Sequence, residues 1–325
     1  MRVLVTGGAG YIGSHAVKAL ARNGFEPIVL DDLSNGHRKA AGEHPLIEGN
    51  IGAAALLRET IHRYEIGAVL HFAASAYVGE SVRNPRKYFD NNVANTLTLL
   101  GAMLDSGVRT IVFSSSCATY GAASGLIRED ALQSPVNPYG WSKLMVEQIL
   151  KSYGSAFDLR WLALRYFNAA GADPDGELGE RHNPETHLIP LLVQAALGQR
   201  GTVELFGTDY PTPDGTAIRD YVHVTDLAYA HVLGLRYLIA GGEPLALNLG
   251  TGTGYSVKQV VEAVEAAVGS PVPLVHAPRR EGDPAELVAD PSRAQTVLDW
   301  QPRWSNLKTI ASTARHWHAR IPRGN

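Results

Sequence analysis

The sequence predicts an α/β fold, a Rossmann-type doubly wound parallel sheet followed by a smaller mixed α/β domain. Two observations predict the sheet. The first half alternates short β-branched apolar runs with longer helical patterns, and a glycine-rich loop joins the first run to the first helix. A third observation predicts the second domain. After Asn168 the texture changes to Gly, Pro and charged residues across 171–190, then to shorter elements separated by proline-rich loops. The division falls at 1–168 and 169–325, with some later segments free to return to the first domain.

Strands are expected at residues 2–6, 27–30, 68–72, 110–113 and 160–166. Each is near-continuously apolar, as strands covered on both faces must be. Helices are expected at 12–21, 53–64, 86–104 and 139–153, where apolar residues recur every three or four positions. Gly24 and Gly107 supply stops after two of these segments. In the second half, helical spacing recurs at 188–197, 225–239, 257–268 and 307–317 without regular alternation. There is no internal repeat and no low-complexity tract.

Composition excludes several classes of function. The chain has 325 residues, 45% hydrophobic and 19% charged, which fits a globular protein and not a disordered or fibrous one. With 29 Lys+Arg against 32 Asp+Glu and a net charge of −3, no whole-chain field draws nucleic acid or an anionic membrane, so an anionic ligand must be gripped locally. The single cysteine, Cys117, excludes an internal disulfide and cysteine-rich zinc modules. No metal site is expected. Only Val3-Leu4-Val5 precedes Thr6 and the glycines, well short of the roughly 7–15 apolar residues of a signal peptide. No stretch reaches the ~20 apolar residues of a membrane span. A cytoplasmic, reducing location is expected.

Gly7-Gly8-Ala9-Gly10-Tyr11-Ile12-Gly13 lies directly between the first strand and the first helix. Gly8-x-Gly10-x-x-Gly13 fits the dinucleotide fingerprint, in which missing side chains let the backbone approach a pyrophosphate at the positive end of a helix. Such a loop can also be a plain tight turn; Asp31, eighteen residues past Gly13 at the end of the second strand, favours the cofactor. A carboxylate there accepts from both adenosine ribose hydroxyls and repels a 2′-phosphate, which favours NAD over NADP. The plainer alternative for Asp31 is a turn residue in the polar run 31–36.

Tyr139 and Lys143 stand four apart at the start of a helical pattern, on one face. A free phenol ionises near about 10, and a neighbouring ammonium stabilises the phenolate, so the pair predicts a general base. That spacing is common by chance; the setting carries the argument. The preceding strand ends in Ser114-Ser115-Ser116, at the carboxyl edge where doubly wound folds bind ligands. One serine can orient a substrate hydroxyl while another caps the loop.

Glycine loop, acidic residue, serine and Tyr-x-x-x-Lys together resemble the extended short-chain dehydrogenase/reductase family. Within it, the chain is similar to the UDP-sugar 4-epimerases. Phe206-Gly207-x-Asp209-Tyr210-Pro211-Thr212-x-Asp214-Gly215-Thr216-x-x-Arg219-Asp220-Tyr221-x-His223-Val224 carries this likeness most specifically. Val78-Gly79-Glu80-Ser81, Asn91-Asn92-Val93, Arg165-Tyr166-Phe167-Asn168, Asn248-Leu249-Gly250-Thr251-Gly252 and Arg280-Glu281-Gly282-Asp283 extend it over essentially the whole length.

The resemblance implies an isomerase that inverts C4 of a UDP-hexose, UDP-glucose or UDP-galactose, through a transient 4-keto sugar on tightly held NAD. Tyr139 would take the proton of the 4-hydroxyl, Lys143 would bind the nicotinamide ribose, and Ser116 would hydrogen-bond the reacting hydroxyl. Matching cofactor positions are Gly7, Gly10, Tyr11, Ile12, Gly13, Asp31, Asp32, Leu33, Ser34, Asn35 and Gly36. Asn50, Ile51, Phe72, Ala73, Ala74, Asn91 and Phe167 complete them, with Tyr139 and Lys143. Asn168, Arg219 and Arg280 would hold the diphosphate through charge-assisted hydrogen bonds. Phe206 and Asp283 would contact the uridine part, and His187, Leu188 and Leu287 the sugar side. A loop arginine can instead form a surface ion pair, and Asp283 can cap a turn before Pro284. A homodimer is implied by inheritance, with no membrane or nucleic-acid partner.

Four positions depart from common versions of the pattern. Asn50 stands where Asp is usual, with an amide oxygen still able to accept. Ala76 replaces a Lys, His187 an Asn, and Leu287 a Tyr found in hexose-restricted members, which leaves room for an N-acetyl group or another sugar. UDP-N-acetylhexosamine, UDP-pentose and UDP-glucuronate epimerases are the near alternatives. A nucleotide-sugar 4,6-dehydratase needs an added acid and base, and Ser116-Cys117-Ala118-Thr119-Tyr120 holds no carboxylate. A non-catalytic NAD sensor has no need of Tyr139, Lys143 and Ser116 together.

Overall fold

The computed structural model of the chain describes residues 1–123, 125–280 and 283–321; Glu281 and Gly282 of the motif around Arg280 lie outside them. The strands are β1 (Arg2–Thr6), β2 (Glu26–Asp31), β3 (Leu46–Glu48), β4 (Ile66–His71), β5 (Thr110–Ser116), β6 (Leu126–Ile127), β7 (Arg160–Tyr166) and β8 (Asn168–Ala170). They continue with β9 (Val203–Phe206), β10 (Ile218–Arg219), β11 (Tyr221–His223), β12 (Leu245–Leu249), β13 (Tyr255–Ser256), β14 (Leu274–Ala277) and β15 (Glu286–Ala289).

Seven strands form one parallel sheet in the order β12-β7-β5-β4-β1-β2-β3. Its helices are α1 (Tyr11–Arg22), α2 (Ala54–Arg63), α3 (Val78–Arg83), α4 (Pro85–Tyr88), α5 (Asn95–Asp105) and α6 (Pro138–Phe157). The second half adds α7 (Leu188–Ala196), α8 (Val224–Ile239), α9 (Val257–Val268), α10 (Ser292–Leu298) and α11 (Leu307–His318).

Alternation along the strands divides the core. Val3 and Val5 of β1 pack under α1, α8 and α10, whereas Leu4 between them packs under α2, α5 and α6. Both sides are dry, and burying a leucine such as Leu4 contributes about 1.5–3 kcal/mol. Expected strands and helices fall within a few residues of those observed. One helix does not: the segment expected as continuous over 86–104 is α4, a π-helical turn at Phe89–Ala94, and α5. The π turn widens where Asn92 leaves the helix surface to bond Ser75 and Ser142.

The second half is not a clean block. β12 closes the edge of the main sheet beside β7, and α8 packs against α1, β5 and β7, so both return to the first domain. Conversely, β6 leaves it to join the small sheet β13-β10-β15-β6. What stays apart is a second core built by α7, α9 and α11. Periodicity finds each of these helices but not which sheet covers it. Among the described residues, no helix is long and apolar enough to cross a membrane.

Candidate active site

The strand order reverses between β1 and β4, and the loops after these two strands cross there. Amides of Phe72 and Ala73 both donate to the Thr6 carbonyl, at 2.8 and 3.0 Å. Gly7 sits in the crossing with φ +71°, and a Cβ on it would stand 2.6 Å from the Ala73 nitrogen. Only glycine satisfies both demands. Beyond it, α1 starts at Gly10 with no side-chain cap and no acidic residue in its first turn. Its first amides, including those of Tyr11 and Ile12, therefore present an unopposed positive end to an anion. Gly13 packs its Cα side against the Gly7 carbonyl.

Asp31 ends β2, 7% exposed, and accepts from the Ala9 and Leu33 amides, each at 2.9 Å. Burial raises its pKa above the usual carboxylate value despite these bonds. The loop wraps on: Asp32 accepts from the Ser34 amide and hydroxyl, and Leu33 turns left-handed at φ +57°. Asn35 is exposed and Gly36 lies against the Asp31 carboxylate. Asn50 corrects an expectation. Its oxygen already accepts from the Gly52 amide at 2.8 Å and Asn95 Nδ2 at 3.0 Å, while its amide donates to Asp32 at 3.0 Å. Both lone pairs are taken, so the acceptor anticipated there is not free. Ile51 is core, and Asn91 reaches Ser75, Asn92 and Asn95 beside the π turn. Phe72 stacks its ring on His231, and Phe167 is buried with Cys117, Tyr120 and Ala289.

Asn137 and Pro138 set the start of α6. The Asn137 side chain accepts from the Gly140 amide at 2.9 Å and Pro138 takes the first turn, which puts Tyr139 at the head of the helix. Gly140 lets that head press on the turn after β5: a Cβ there would be 2.5 Å from the Ala118 carbonyl. The approach brings the Tyr139 phenol to Ser116, whose hydroxyl also caps Ala118 at 3.2 Å. Burial pushes the phenol up to about 12, with the Ser116 hydroxyl pulling the other way.

Lys143 is anchored at the end of β5 and also lies over the Tyr139 ring. Its Nζ donates to the Ser114 carbonyl at 2.7 Å and stands 5.8 Å from the centre of the Tyr139 ring. Burial drives the ammonium down to about 7 against the attraction of Glu147. The helix spacing puts the two side chains on one face, and burial disfavours the charged form of both.

Just past β7, Asn168 donates through Nδ2 to the Asp220 carbonyl at 3.1 Å. Arg219 pairs with Asp283 at 2.5 Å, and the Arg280 guanidinium lies 4.1 Å from the centre of the Phe206 ring. Leu287 sits opposite Arg219 in the β10–β15 pairing. Leu188 opens α7 with His187 as its N-terminal flank, and His187 Nδ1 points at Glu180, 2.5 Å away.

A family model described as the NAD dependent epimerase/dehydratase family matches residues 3–250. The chain is a member of that family. It is 50% identical over 323 residues to a UDP-glucose 4-epimerase of Rhizobium meliloti, covering 99% of this chain and 98% of the relative. It is 51% identical to a UDP-glucose 4-epimerase from Brucella ovis solved in complex with NAD, with a TM-score of 0.95 over 97% of this chain and 98% of that one. A UDP-glucose 4-epimerase from Bifidobacterium longum in complex with NAD+ and UDP is 37% identical, with a TM-score of 0.93 over all of both chains.

Two parts of this epimerase/dehydratase chain escaped the sequence reading. Glu147, one more turn along α6 from Lys143, is buried and accepts from Ser115 at 2.5 Å and from Arg165 at 2.9 and 2.6 Å. Arg165 also donates to the Tyr120 hydroxyl, which donates to Asn248, so one polar network underlies the end of β5. The i, i+4, i+8 spacing of Tyr139, Lys143 and Glu147 was the available signal. The second part is the grouping of Glu180, His182 and Glu185 around His187, which the sequence had placed only on the sugar side.

Proposed function

We propose that the chain is an NAD-dependent epimerase that interconverts UDP-glucose and UDP-galactose by inverting C4, with no net oxidation. The observation that carries this reading is the Tyr139 phenol held beside the Ser116 hydroxyl at the carboxyl edge of the sheet. NAD, when bound, supplies the acceptor and donor of hydride at C4. The residues fit it: Gly7 lets the two loops cross closely at the switch point of the sheet, the uncapped start of α1 suits the pyrophosphate, and Asp31 suits the adenosine ribose.

Tyr139 takes the proton from the sugar 4-hydroxyl as the C4–H bond breaks, giving a 4-keto sugar, and returns it to the same oxygen when C4 is rebuilt on its other face. Ser116 fixes that oxygen. Lys143, anchored on the Ser114 carbonyl, orients the base and the nicotinamide ribose. Arg219, Arg280 and Asn168 hold the diphosphate, and Phe206 and Asp283 the uridine side. Leu188 and Leu287 leave the sugar loosely held, so that it can present either face. The Cys117–Tyr120 turn, which holds no carboxylate, supports epimerisation over dehydration.

The proposed assembly is a homodimer. Leu97 of α5 and Trp141 and Met145 of α6 are at least 40% exposed on helices that cover the same sheet face, which supports burial against a second copy. The functional test is product analysis. Purified protein given UDP-galactose should yield UDP-glucose without added reductant and release NAD on denaturation. Production of a 4-keto-6-deoxy sugar, or no conversion by NAD-loaded protein, overturns the proposal.

A further inference from the structure

We propose that Glu180, His182, Glu185 and His187 form a four-coordinate divalent-cation site, suited to zinc, that staples the segment between β8 and α7. One ligand atom from each residue lies within 4.8 Å of the other three. His182 Nδ1 is 3.2 Å from Glu180 and 3.7 Å from Glu185; His187 Nδ1 is 2.5 Å from Glu180 and 3.4 Å from Glu185. Ligands about 2.0–2.1 Å from a tetrahedral zinc stand roughly 3.3 Å apart; the 3.2, 3.4 and 3.7 Å separations fit the edges of one such shell, and the 2.5 Å His187–Glu180 pair must open by roughly 0.8 Å to admit the ion.

At His182 the contacts lack good hydrogen-bond geometry. His182 Nδ1 is buried without a hydrogen-bond partner, although a carboxylate oxygen lies 3.2 Å away. Glu185 Oε1 accepts from the Thr186 and His187 amides, at 2.8 and 3.0 Å. Its Oε2 is left buried and unpartnered. Both glutamate side chains are only 4% exposed, and among the described residues the two imidazoles are their only cationic neighbours within ion-pair distance. Two buried carboxylates need positive charge, and one divalent ion supplies it without the angles that N–H donors require. Two nitrogens and two oxygens suit zinc, and a shell filled by protein is a structural rather than a reacting centre.

The ion's place in the fold gives it a task. Tyr11 and Tyr77 set their ring edges or faces at right angles to His182, and Trp317 of α11 donates to the Glu180 carbonyl at 2.9 Å. His187 leads directly into α7 and Leu188. The staple therefore ties the start of α7 to the glycine-loop helix and to the second core.

The test is metal analysis of the full-length protein. After exchange into metal-free buffer, wild type should retain about one zinc per chain by elemental mass spectrometry, and a strong chelator should lower its Tm. Zinc chloride should then restore that Tm. His182→Gln and Glu180→Gln should each weaken zinc binding at least about 100-fold in competition with a chromophoric chelator. If a variant does not fold, cobalt chloride added to stripped wild type is decisive: intense visible absorption of tetrahedral cobalt supports the site. Absence of stoichiometric zinc with no Tm response, unchanged affinity in folded variants, or only weak octahedral cobalt bands overturns it.

Discussion

Lys143 donates to the Ser114 carbonyl at 2.7 Å while its ammonium stands over the Tyr139 ring, 5.8 Å from the ring centre. The phenol is held up to about 12 and the ammonium down to about 7, both by burial. Burial thus disfavours the charged form of both groups.

The lysine's shift sets a stability profile. A lysine whose folded pKa lies below its unfolded value binds fewer protons when folded, so stability rises with pH between about 7 and 10.5 and is lowest below that window. Lys143→Met should raise Tm at pH 6–7 and lose this advantage near pH 10, while kcat falls by about 100-fold or more. Thermal melts of wild type and variant across pH check the sign; a constant difference contradicts it.

Tyr139→Phe removes one hydroxyl whose hydrogen-bond partner among the described residues is Ser116. Turnover should fall by about 10²–10⁴, with KM, Tm and bound NAD nearly unchanged. Steady-state kinetics alongside cofactor content separate this outcome from a loss of binding.

Glu147→Gln leaves the Arg165 guanidinium buried without its carboxylate. The cost should be about 3–5 kcal/mol in urea unfolding, more than any surface pair in the molecule would show. Pairing the change with Arg165→Met should recover part of the loss, because no charge is then stranded.

Gly140→Ala separates stability from geometry. Alanine improves helix propensity by up to about 1 kcal/mol, but its Cβ would stand 2.5 Å from the Ala118 carbonyl, so the head of α6 must move. Unfolding stability should change by about 1 kcal/mol or less while kcat falls around 100-fold, since displacement of Tyr139 by an ångström misaligns the proton transfer.

Much of this was legible because the physics is local. The strand-loop-helix pattern placed Gly7 to Gly13 and Asp31, and a four-residue spacing placed Tyr139 and Lys143 on one helix face. What was not legible depends on partners distant in the chain. Asn50 reads as an available acceptor until Asn95 and Gly52 are seen to fill its oxygen, and the Ser114 carbonyl that anchors Lys143 lies 29 positions away in the chain. The break at Phe89–Ala94 follows from Asn92 bonding across to Ser75, which apolar periodicity does not register. The return of β12 to the main sheet has the same origin, because a buried apolar strand carries no mark of which edge it joins.

On the proposed mechanism C4 is oxidised and rebuilt without release of the sugar, with proton transfer at Tyr139 and hydride exchanged only with bound NAD. The most direct measurement is turnover of UDP-glucose deuterated at C4 in ordinary water, followed by mass and NMR analysis of the product. UDP-galactose should carry the deuterium at C4 in full, with turnover slowed by the heavier isotope. Loss of the label to water would contradict the account.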